Sequence, residues 1–302
     1  MGPRKLNQFF RFHKPLGIIE KQLKEFHGKT IVIDASIYLY RFNTNDELIE
    51  NLYIMICILK KHNIIPLFIF DGKPPPEKFN SLNIRRKERD DAARLYELLK
   101  KSNNMCEVSA TFIEKLKRKK TRVNSRNREE AKRLLEVCGV SYIEADGEAD
   151  ELCAYCVIKN IAYACLSDDM DMFIYGCPRI MRYFSMMNET VVYYELDTIL
   201  KSLDIEREMF TNIAILSGTD YNNEVMLIED LYVSYSKNKE MFSENLTSKI
   251  ERNEYENIKE IKRYYDLTKR DFNEVVSRRK YFNYDKQEEQ KFLSSYHFIF
   301  IE

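Results

Sequence analysis

Histidine is scarce in this chain of 302 residues, and the four present, His13, His27, His62 and His297, are too dispersed for a histidine-based zinc site or a histidine–metal nuclease centre. Neither a Ser–His–Asp nor a Cys–His set can be assembled. Glycine and proline disappear altogether after Gly218, leaving 84 residues without either breaker, so that tail is expected to be helical. No apolar run approaches membrane-spanning length, and the opening MGPRKLNQFFRFHK lacks the apolar stretch of a secretory signal. The expectation is an intracellular protein with no membrane partner. Seven cysteines, an odd number scattered through apolar stretches, exclude a tidy disulfide framework and point to a reducing compartment. Cys153 and Cys156 form a lone CxxC with no second pair at zinc spacing, which favours ordinary buried thiols.

Net charge is lacking too: 48 Lys and Arg balance 48 Asp and Glu, which alone argues against a nucleic-acid partner. The charge is segregated, however. Residues 72–128 hold 17 Lys or Arg against 7 Asp or Glu, and Lys115 to Arg128 holds eight basic residues and no acid. The run KRKKTR at 117–122 reads equally as a solvated face, a nuclear-localisation patch or a grip on phosphate.

The apolar pattern describes an α/β chain, either one enlarged domain or two smaller units. The continuous run TIVI (30–33) fits a strand covered on both faces, and PLFIF (66–70) a second, with a helix from Asp46 to Lys61 between them behind the capping candidate Asn45. Further expectations are a charged helix from Leu82 to Lys101, a helix Arg126–Val137 stopping at Gly139, and a helix from near Glu148. Strands are expected at Val140–Glu144, Ala162–Leu166, Ile180–Phe184 and Val191–Tyr194, and helices at Leu196–Leu203 and Met209–Leu216.

At or just past the ends of these strands stand Asp34, Asp71, Glu148, Asp150, Asp169, Asp171 and Asp220. Singly, each has a structural explanation as a cap, a turn residue or a charge in a helix first turn. Jointly, so much negative charge where α/β sheets bind ligands would repel itself unless divalent cations neutralised it. Oxygen-only donors suit magnesium or manganese, and two such ions would serve phosphodiester cleavage without a nucleophilic side chain. The i, i+2 pairs Glu148/Asp150 and Asp169/Asp171 do not share a face of a regular helix, yet both members can reach one point from an irregular turn.

The wording of these blocks resembles the structure-specific 5′ nucleases of the XPG type, and within them the flap endonucleases. The matching segments are MGxxxL at 1–6, VIDAS at 32–36, FDGKPP at 70–75, GEADELCA at 147–154, SDDMDMFIYG at 167–176 and LSGTDY at 216–221. The resemblance implies a PIN-like, mostly parallel central sheet flanked by helices over residues 1–221, a basic helical arch or cap within 79–128, and a helical region at 222–302. It implies that the seven carboxylates bind two Mg2+ ions, with Mn2+ able to substitute, Asp169 and Asp171 being central to catalysis. Lys78, seven residues past Asp71, and Arg85, fourteen past it, match basic residues on a helix reaching toward the scissile phosphate. Tyr40 matches an aromatic that stacks on an unpaired base, against the alternative of core packing. Gly2 matches a small residue near the metals, and Lys117, Arg118, Lys119, Lys120 and Arg122 fall in the arch as DNA contacts.

The implied activity is cleavage of DNA near 5′ branch points in replication, repair or recombination, on substrates with a free 5′ end, by a monomer in the nucleus or at a cytoplasmic replication site. Alternatives are a 5′→3′ double-strand exonuclease or gap endonuclease of the same family, an RNA-cutting relative, and a non-catalytic DNA-binding replication scaffold. The chain departs from the family after LSGTDY. There NNEVMLIEDLYVSYSKNKE lacks the glycines of the hairpin that approaches duplex phosphates, so that anchor is expected to be altered. Gln290, Leu293 and Tyr296 give only partial spacing for a sliding-clamp peptide, with His297 in the second aromatic position.

Overall fold

The computed structural model describes residues 3, 5–101, 109–221, 226–252 and 258–298. Along the chain run α1 (Leu6–His13), β1 (Ile18–Gln22), β2 (Thr30–Asp34), α2 (Ala35–Phe42), α3 (Leu48–Lys61) and β3 (Ile65–Phe70). Next come α4 (Phe79–Lys101), α5 (Ala110–Lys120), α6 (Ser125–Val137), β4 (Ser141–Glu144), α7 (Ala149–Ile158) and β5 (Ala164–Leu166). Then follow α8 (Asp171–Tyr175), β6 (Arg179–Ser185), β7 (Thr190–Glu195), α9 (Leu196–Ser202) and α10 (Arg207–Leu216). The glycine-free tail is helical as expected, with α11 (Ile228–Lys237), α12 (Lys239–Glu251), α13 (Ile258–Tyr265), α14 (Asn273–Ser277) and α15 (Lys286–Ser294).

Two compact units divide these elements, and both draw on residues on either side of position 221. The first comprises residues 1–33 and 150–274. Its strands lie in the order β1–β7–β6–β5–β2, with β5 parallel to β2 and to β6, and with β7 antiparallel to β6 and to β1. Ile31, Val32 and Ile33 are fully buried, which explains why TIVI shows no alternation: both faces of β2 are covered. β1 has no counterpart among the sequence expectations, because IIEKQ places only half-buried and exposed residues on an edge and carries no periodic signal. Cys153 and Cys156 are buried on α7 and form no disulfide. No helix among the described residues is long and apolar enough to cross a membrane.

The second unit comprises residues 34–149 and 275–302. Here β3 and β4 pair in parallel, Leu67 opposite Ser141 through Phe70 opposite Glu144, beneath α2, α3 and α6. The capping expectation at Asn45 is corrected: Asn43–Asn45 form a 3₁₀ turn, Asp46 takes a left-handed φ of 61°, and α3 starts only after Glu47. An Asp tolerates that backbone, and the turn consumes the residues that would have capped. The chain end returns to this unit, where Lys280 N–H donates to the Tyr142 carbonyl at 3.0 Å and α15 packs on α6 with Leu293 fully buried.

Gly72 shows how closely the loops after β3 and β4 approach. A Cβ there would lie 2.1 Å from the Ala145 carbonyl, and the Gly72 and Lys73 N–H groups instead donate to the carbonyls of Gly147 at 2.7 Å and Asp146 at 3.1 Å. Asp71 and Glu148 are thereby tied to one rim, at the carboxyl ends of parallel strands where ligands of α/β folds bind.

Candidate active site

In the first unit, Asp150 opens α7, while Asp169 and Asp171 lie on the turn from β5 into α8. Each offers a carboxylate oxygen within 4.8 Å of the other two, and all three are buried. Of the two i, i+2 pairs, Asp169/Asp171 comes together here while Glu148 is not a member of the group with Asp150: Asp171 N–H donates to Asp169 Oδ1 at 3.0 Å, and Asp169 N–H donates to Ser167 Oγ at 3.2 Å. Asp150 Oδ1 takes the N–H of Glu151 at 2.8 Å. Three buried carboxylates this close repel one another, and their oxygen-only donor set fits a hard divalent cation. Asp220, in the turn after α10, is half-buried and is not a member of this group.

Sequence reasoning missed Tyr265. Its hydroxyl, from the end of α13, donates to Asp171 Oδ1 at 3.2 Å in a buried contact. Burial, and then the Asp171 charge, push the Tyr265 phenol well above its ordinary pKa, so it remains a donor. The ring packs against Tyr175 at 4.9 Å and Tyr221 at 5.6 Å between centroids. Just beyond, Arg270 pairs with Glu151, next to Asp150, and donates to the Tyr264 carbonyl at 3.1 Å. The glycine-free tail thus supplies supports for the acid cluster. Nothing in its sequence signals this, since a single tyrosine on an amphipathic helix reads as core.

In the second unit the acids are engaged by protein donors. Asp34 caps α2, its Oδ1 accepting from Ser36 N–H at 3.1 Å. The Ser36 hydroxyl donates to Asp71 Oδ2, and Asp71 Oδ1 accepts from Ala149 N–H at 2.7 Å. Arg128, last of the basic run, donates to the Asp71 carbonyl. Glu148 Oε2 sits 2.6 Å from Lys78 Nζ. Lys78 is 4% exposed and lies in a 3₁₀ turn, Pro76–Lys78, which corrects the expectation that it projects from the long helix. The run of prolines at 74–76 cannot supply helical N–H groups, so α4 starts one residue later and carries Arg85 alone.

Tyr40 stays 39% exposed on α2, with the Arg89 guanidinium 5.8 Å from its ring centroid, so core packing does not explain it. The cations of α5, and Arg122 just past it, are partly committed. Arg118 pairs with Glu114 at 3.2 Å, Lys119 with Glu88 at 3.8 Å and Arg122 with Asp90 at 2.5 Å, while Lys120 lies 4.5 Å over the Tyr96 ring. Lys117 is half-buried on the same helix. These contacts join α4 to α5 as a basic helical hairpin. Gly2 lies outside the described residues.

Two family descriptions match the chain, the XPG N-terminal domain over residues 1–92 and the XPG I-region over residues 139–220. Flap endonuclease 1 of Lodderomyces elongisporus is 31% identical over 243 residues, covering 73% of this chain and 61% of that protein. The chain spans about three fifths of the length of the curated relatives it matches. Among solved structures, the catalytic core of Rad2 in complex with DNA substrate aligns over 97% of this chain and 93% of that one, with TM-score 0.65 and 22% identity. The Holliday junction-resolving enzyme GEN1 in complex with product DNA and Mg2+ aligns over 96% of this chain and 68% of that one, with TM-score 0.59 and 17% identity. These likenesses show the fold, a PIN-like α/β nuclease fold. Both matched segments carry the acids described above, and together they cover more than half of the 302 residues, so the chain belongs to the XPG family.

Proposed function

We propose that the chain is a metal-dependent, structure-specific 5′ nuclease that hydrolyses DNA phosphodiester bonds near 5′ branch points. The observation that carries this reading is the buried triad Asp150, Asp169 and Asp171, whose oxygens lie within 4.8 Å of one another. Family membership, and the DNA and Mg2+ bound by the GEN1 relative, support it. The triad would hold a divalent cation, Mg2+ or Mn2+, and Asp34, Asp71, Glu148 and Asp220 would complete a two-ion set directly or through water. Held by these residues, such cations would lower the pKa of an attacking water and would offset charge on the phosphate and the leaving oxygen.

The chain's own residues have separate tasks. Glu148 holds the Lys78 ammonium in place, so a phosphate oxygen entering the site meets a cation already oriented. Arg85, on α4, supplies a second fixed charge. Exposed Tyr40 offers a face for an unpaired base, and stacking is indifferent to sequence. Lys117, Arg118, Lys119, Lys120 and Arg122 are proposed to attract the strand. The proposed substrate is branched DNA with a free 5′ end, acted on by a monomer inside the cell. The described cysteines form no disulfide, which suits that compartment. Binding of a sliding clamp through Gln290, Leu293 and Tyr296 would require fully buried Leu293 to leave its place, α15 being packed on α6.

The test is cleavage of 5′-flap, nicked, gapped, blunt and single-stranded DNA with and without Mg2+. Magnesium-dependent cutting near the branch of the flap, suppressed by a bulky adduct on the 5′ end, is expected. Absence of cleavage on every substrate with Mg2+ and with Mn2+ overturns the reading.

A further inference from the structure

A buried arginine sits inside strand β6 of the first unit. Arg182 is 4% exposed in the middle of RIMRYFS, where burying a charge costs free energy unless polar partners receive it. The pairing of β6 with β7 slips just beyond it. Arg182 stands opposite Val192 and Ser185 opposite Thr190, so Tyr183 and Phe184 face Val191 alone, a β-bulge. Tyr183 takes a left-handed φ of 55° there, an uncommon backbone for a bulky side chain. Bulges and strained residues gather beside functional sites, where they re-aim neighbouring groups.

What this bulge reaches is the turn that carries the acids. Three successive residues of β6 hold the two residues that precede Asp169. The Met181 carbonyl accepts the Ser167 N–H at 3.1 Å, Arg182 Nη2 donates to the Asp168 carbonyl at 3.0 Å, and the Tyr183 N–H donates to Asp168 Oδ1 at 2.9 Å. Onward from there, Ser167 Oγ receives the Asp169 N–H and Asp169 Oδ1 the Asp171 N–H. The guanidinium is aimed from another element. Its Nη1 donates to Asn7 Oδ1 at 3.2 Å, on helix α1, which is anchored by buried Leu6, Phe9 and Phe10. Two nitrogens of one rigid plane thus serve acceptors on two elements, which the single nitrogen of a lysine cannot do in the same way.

The acceptor matters more than the burial. The Asp168 carbonyl belongs to the peptide that leads into Asp169, and rotation of that peptide would swing the Asp169 carboxylate. Three carboxylates within 4.8 Å repel one another, which pushes toward just such a rotation when no cation is present. We propose that Arg182, aimed by Asn7, is a positioning residue for the cation site: it locks the Asp168–Asp169 peptide so that Asp169 and Asp171 stay grouped with Asp150 against their mutual repulsion. The proposal rests on the reading of the triad as the divalent-cation site of a nuclease, and adds to it a pair of residues outside the seven carboxylates, Lys78 and Arg85.

The test is Mn2+ binding to the full chain without DNA, followed by the electron paramagnetic resonance of free Mn2+, for the parent, Arg182→Met, Arg182→Lys and Asn7→Leu. Thermal melts in EDTA report the fold of each. Loss of a group that orients metal ligands typically weakens metal binding by roughly tenfold to a hundredfold, and Arg182→Met is expected to do so. Arg182→Lys, which keeps the charge without the fork, should fall between it and the parent, and Asn7→Leu should weaken Mn2+ binding by about threefold or more. In cleavage assays the Mn2+ concentration for half-maximal rate should shift by the same factors, with turnover largely recovered at saturating Mn2+ and DNA affinity in EDTA unchanged. A merely structural arginine would lower the melting temperature and leave Mn2+ binding alone, so a folded Arg182→Met that binds Mn2+ within twofold of the parent overturns the proposal. Should Arg182→Met fail to fold, the decision passes to the other two variants, and parental Mn2+ binding in both overturns it. A parent that binds no Mn2+ removes the cation reading of the triad and this inference with it, whereas equal binding by parent and variants removes the inference alone.

Discussion

The two units carry their acids in opposite states. In the second, Asp34, Asp71 and Glu148 are each met by a protein donor: the Ser36 N–H and hydroxyl, the Ala149 N–H and the Lys78 ammonium. In the first, Asp150, Asp169 and Asp171 crowd one another within 4.8 Å, and their supports include backbone N–H groups and the Tyr265 phenol. Residues in the two groups therefore share a motif-level signature yet differ in what they need. A carboxylate already paired is a positioning element, whereas a crowded one stores repulsion that a cation releases. Chain connectivity joins the two kinds, since Ala149 alone separates Glu148 from Asp150.

The sharpest way to break this comparison is to neutralise one acid of the crowded set. Asp169→Asn or Asp171→Asn is expected to cut turnover by several orders of magnitude and leave DNA affinity nearly intact, because removing negative charge does not weaken attraction for phosphate. The same substitutions should raise the melting temperature of the metal-free protein by relieving repulsion. They should also abolish the stabilisation that Mg2+ gives the parent, about 2.7 kcal/mol at a hundredfold excess over its dissociation constant. Thermal melts with EDTA and with Mg2+ measure both. A metal-free melting temperature that falls would show that the triad is held by contacts stronger than its repulsion.

The paired set should respond in the other direction. Lys78→Ala strands Glu148, whose side chain is only 18% exposed, and breaking such a pair from one side costs about 3 kcal/mol. Stability should fall, and the single-turnover rate should fall with little change in DNA affinity, as for a contact made chiefly in the transition state. Adding Glu148→Gln to Lys78→Ala should recover most of the stability and none of the rate. Denaturant melts with single-turnover cleavage separate the two effects, and recovery of the rate would remove Lys78 from the chemistry.

Tyr265 is where the crowded set leans on the tail. Tyr265→Phe keeps the ring contacts with Tyr175 and Tyr221 and removes one hydrogen bond to Asp171. Groups that orient metal ligands typically change metal affinity by roughly tenfold to a hundredfold when lost, so the Mg2+ concentration for half-maximal stabilisation should rise by about that factor. An unchanged metal titration would reduce Tyr265 to core packing.

What the sequence made legible follows from where its signals are physical. Buried parallel strands announce themselves as unbroken apolar runs such as TIVI and PLFIF, so the α/β sheet was readable from them, whereas the PIN-like fold came from the resemblance of the motif blocks that also carry Asp150, Asp169 and Asp171. Edge strand β1 was not, because only two of its five residues are even partly covered. The commitment of Lys78 to Glu148 was not either. A lysine's burial depends on which loop closes over it, and here that closure rests on Gly72 beneath the Ala145 carbonyl. Tyr265 is the extreme case: its partner lies 94 positions away, and local pattern cannot encode such a pairing.

The smallest expected effect concerns the basic hairpin, where committed and uncommitted charge again coexist. If Lys117, Arg118, Lys119 and Lys120 all met duplex phosphates freely, replacing all four by glutamine would flatten the salt dependence of DNA binding by roughly 3.6 in log–log slope. Arg118 and Lys119, however, already have Glu114 and Glu88 as partners, and phosphate must displace those carboxylates. These pairs are largely exposed, where an ion pair contributes about 0–1 kcal/mol, so displacement is cheap but leaves an acid facing the strand. The slope should accordingly change by clearly less than the free-charge figure, with affinity falling only a few-fold. Anisotropy titrations across salt concentrations measure it, and adding Glu88→Gln and Glu114→Gln to the otherwise unaltered protein should tighten binding; a full-sized slope change without any gain from those glutamines would mean that the hairpin's internal pairs do not compete with DNA.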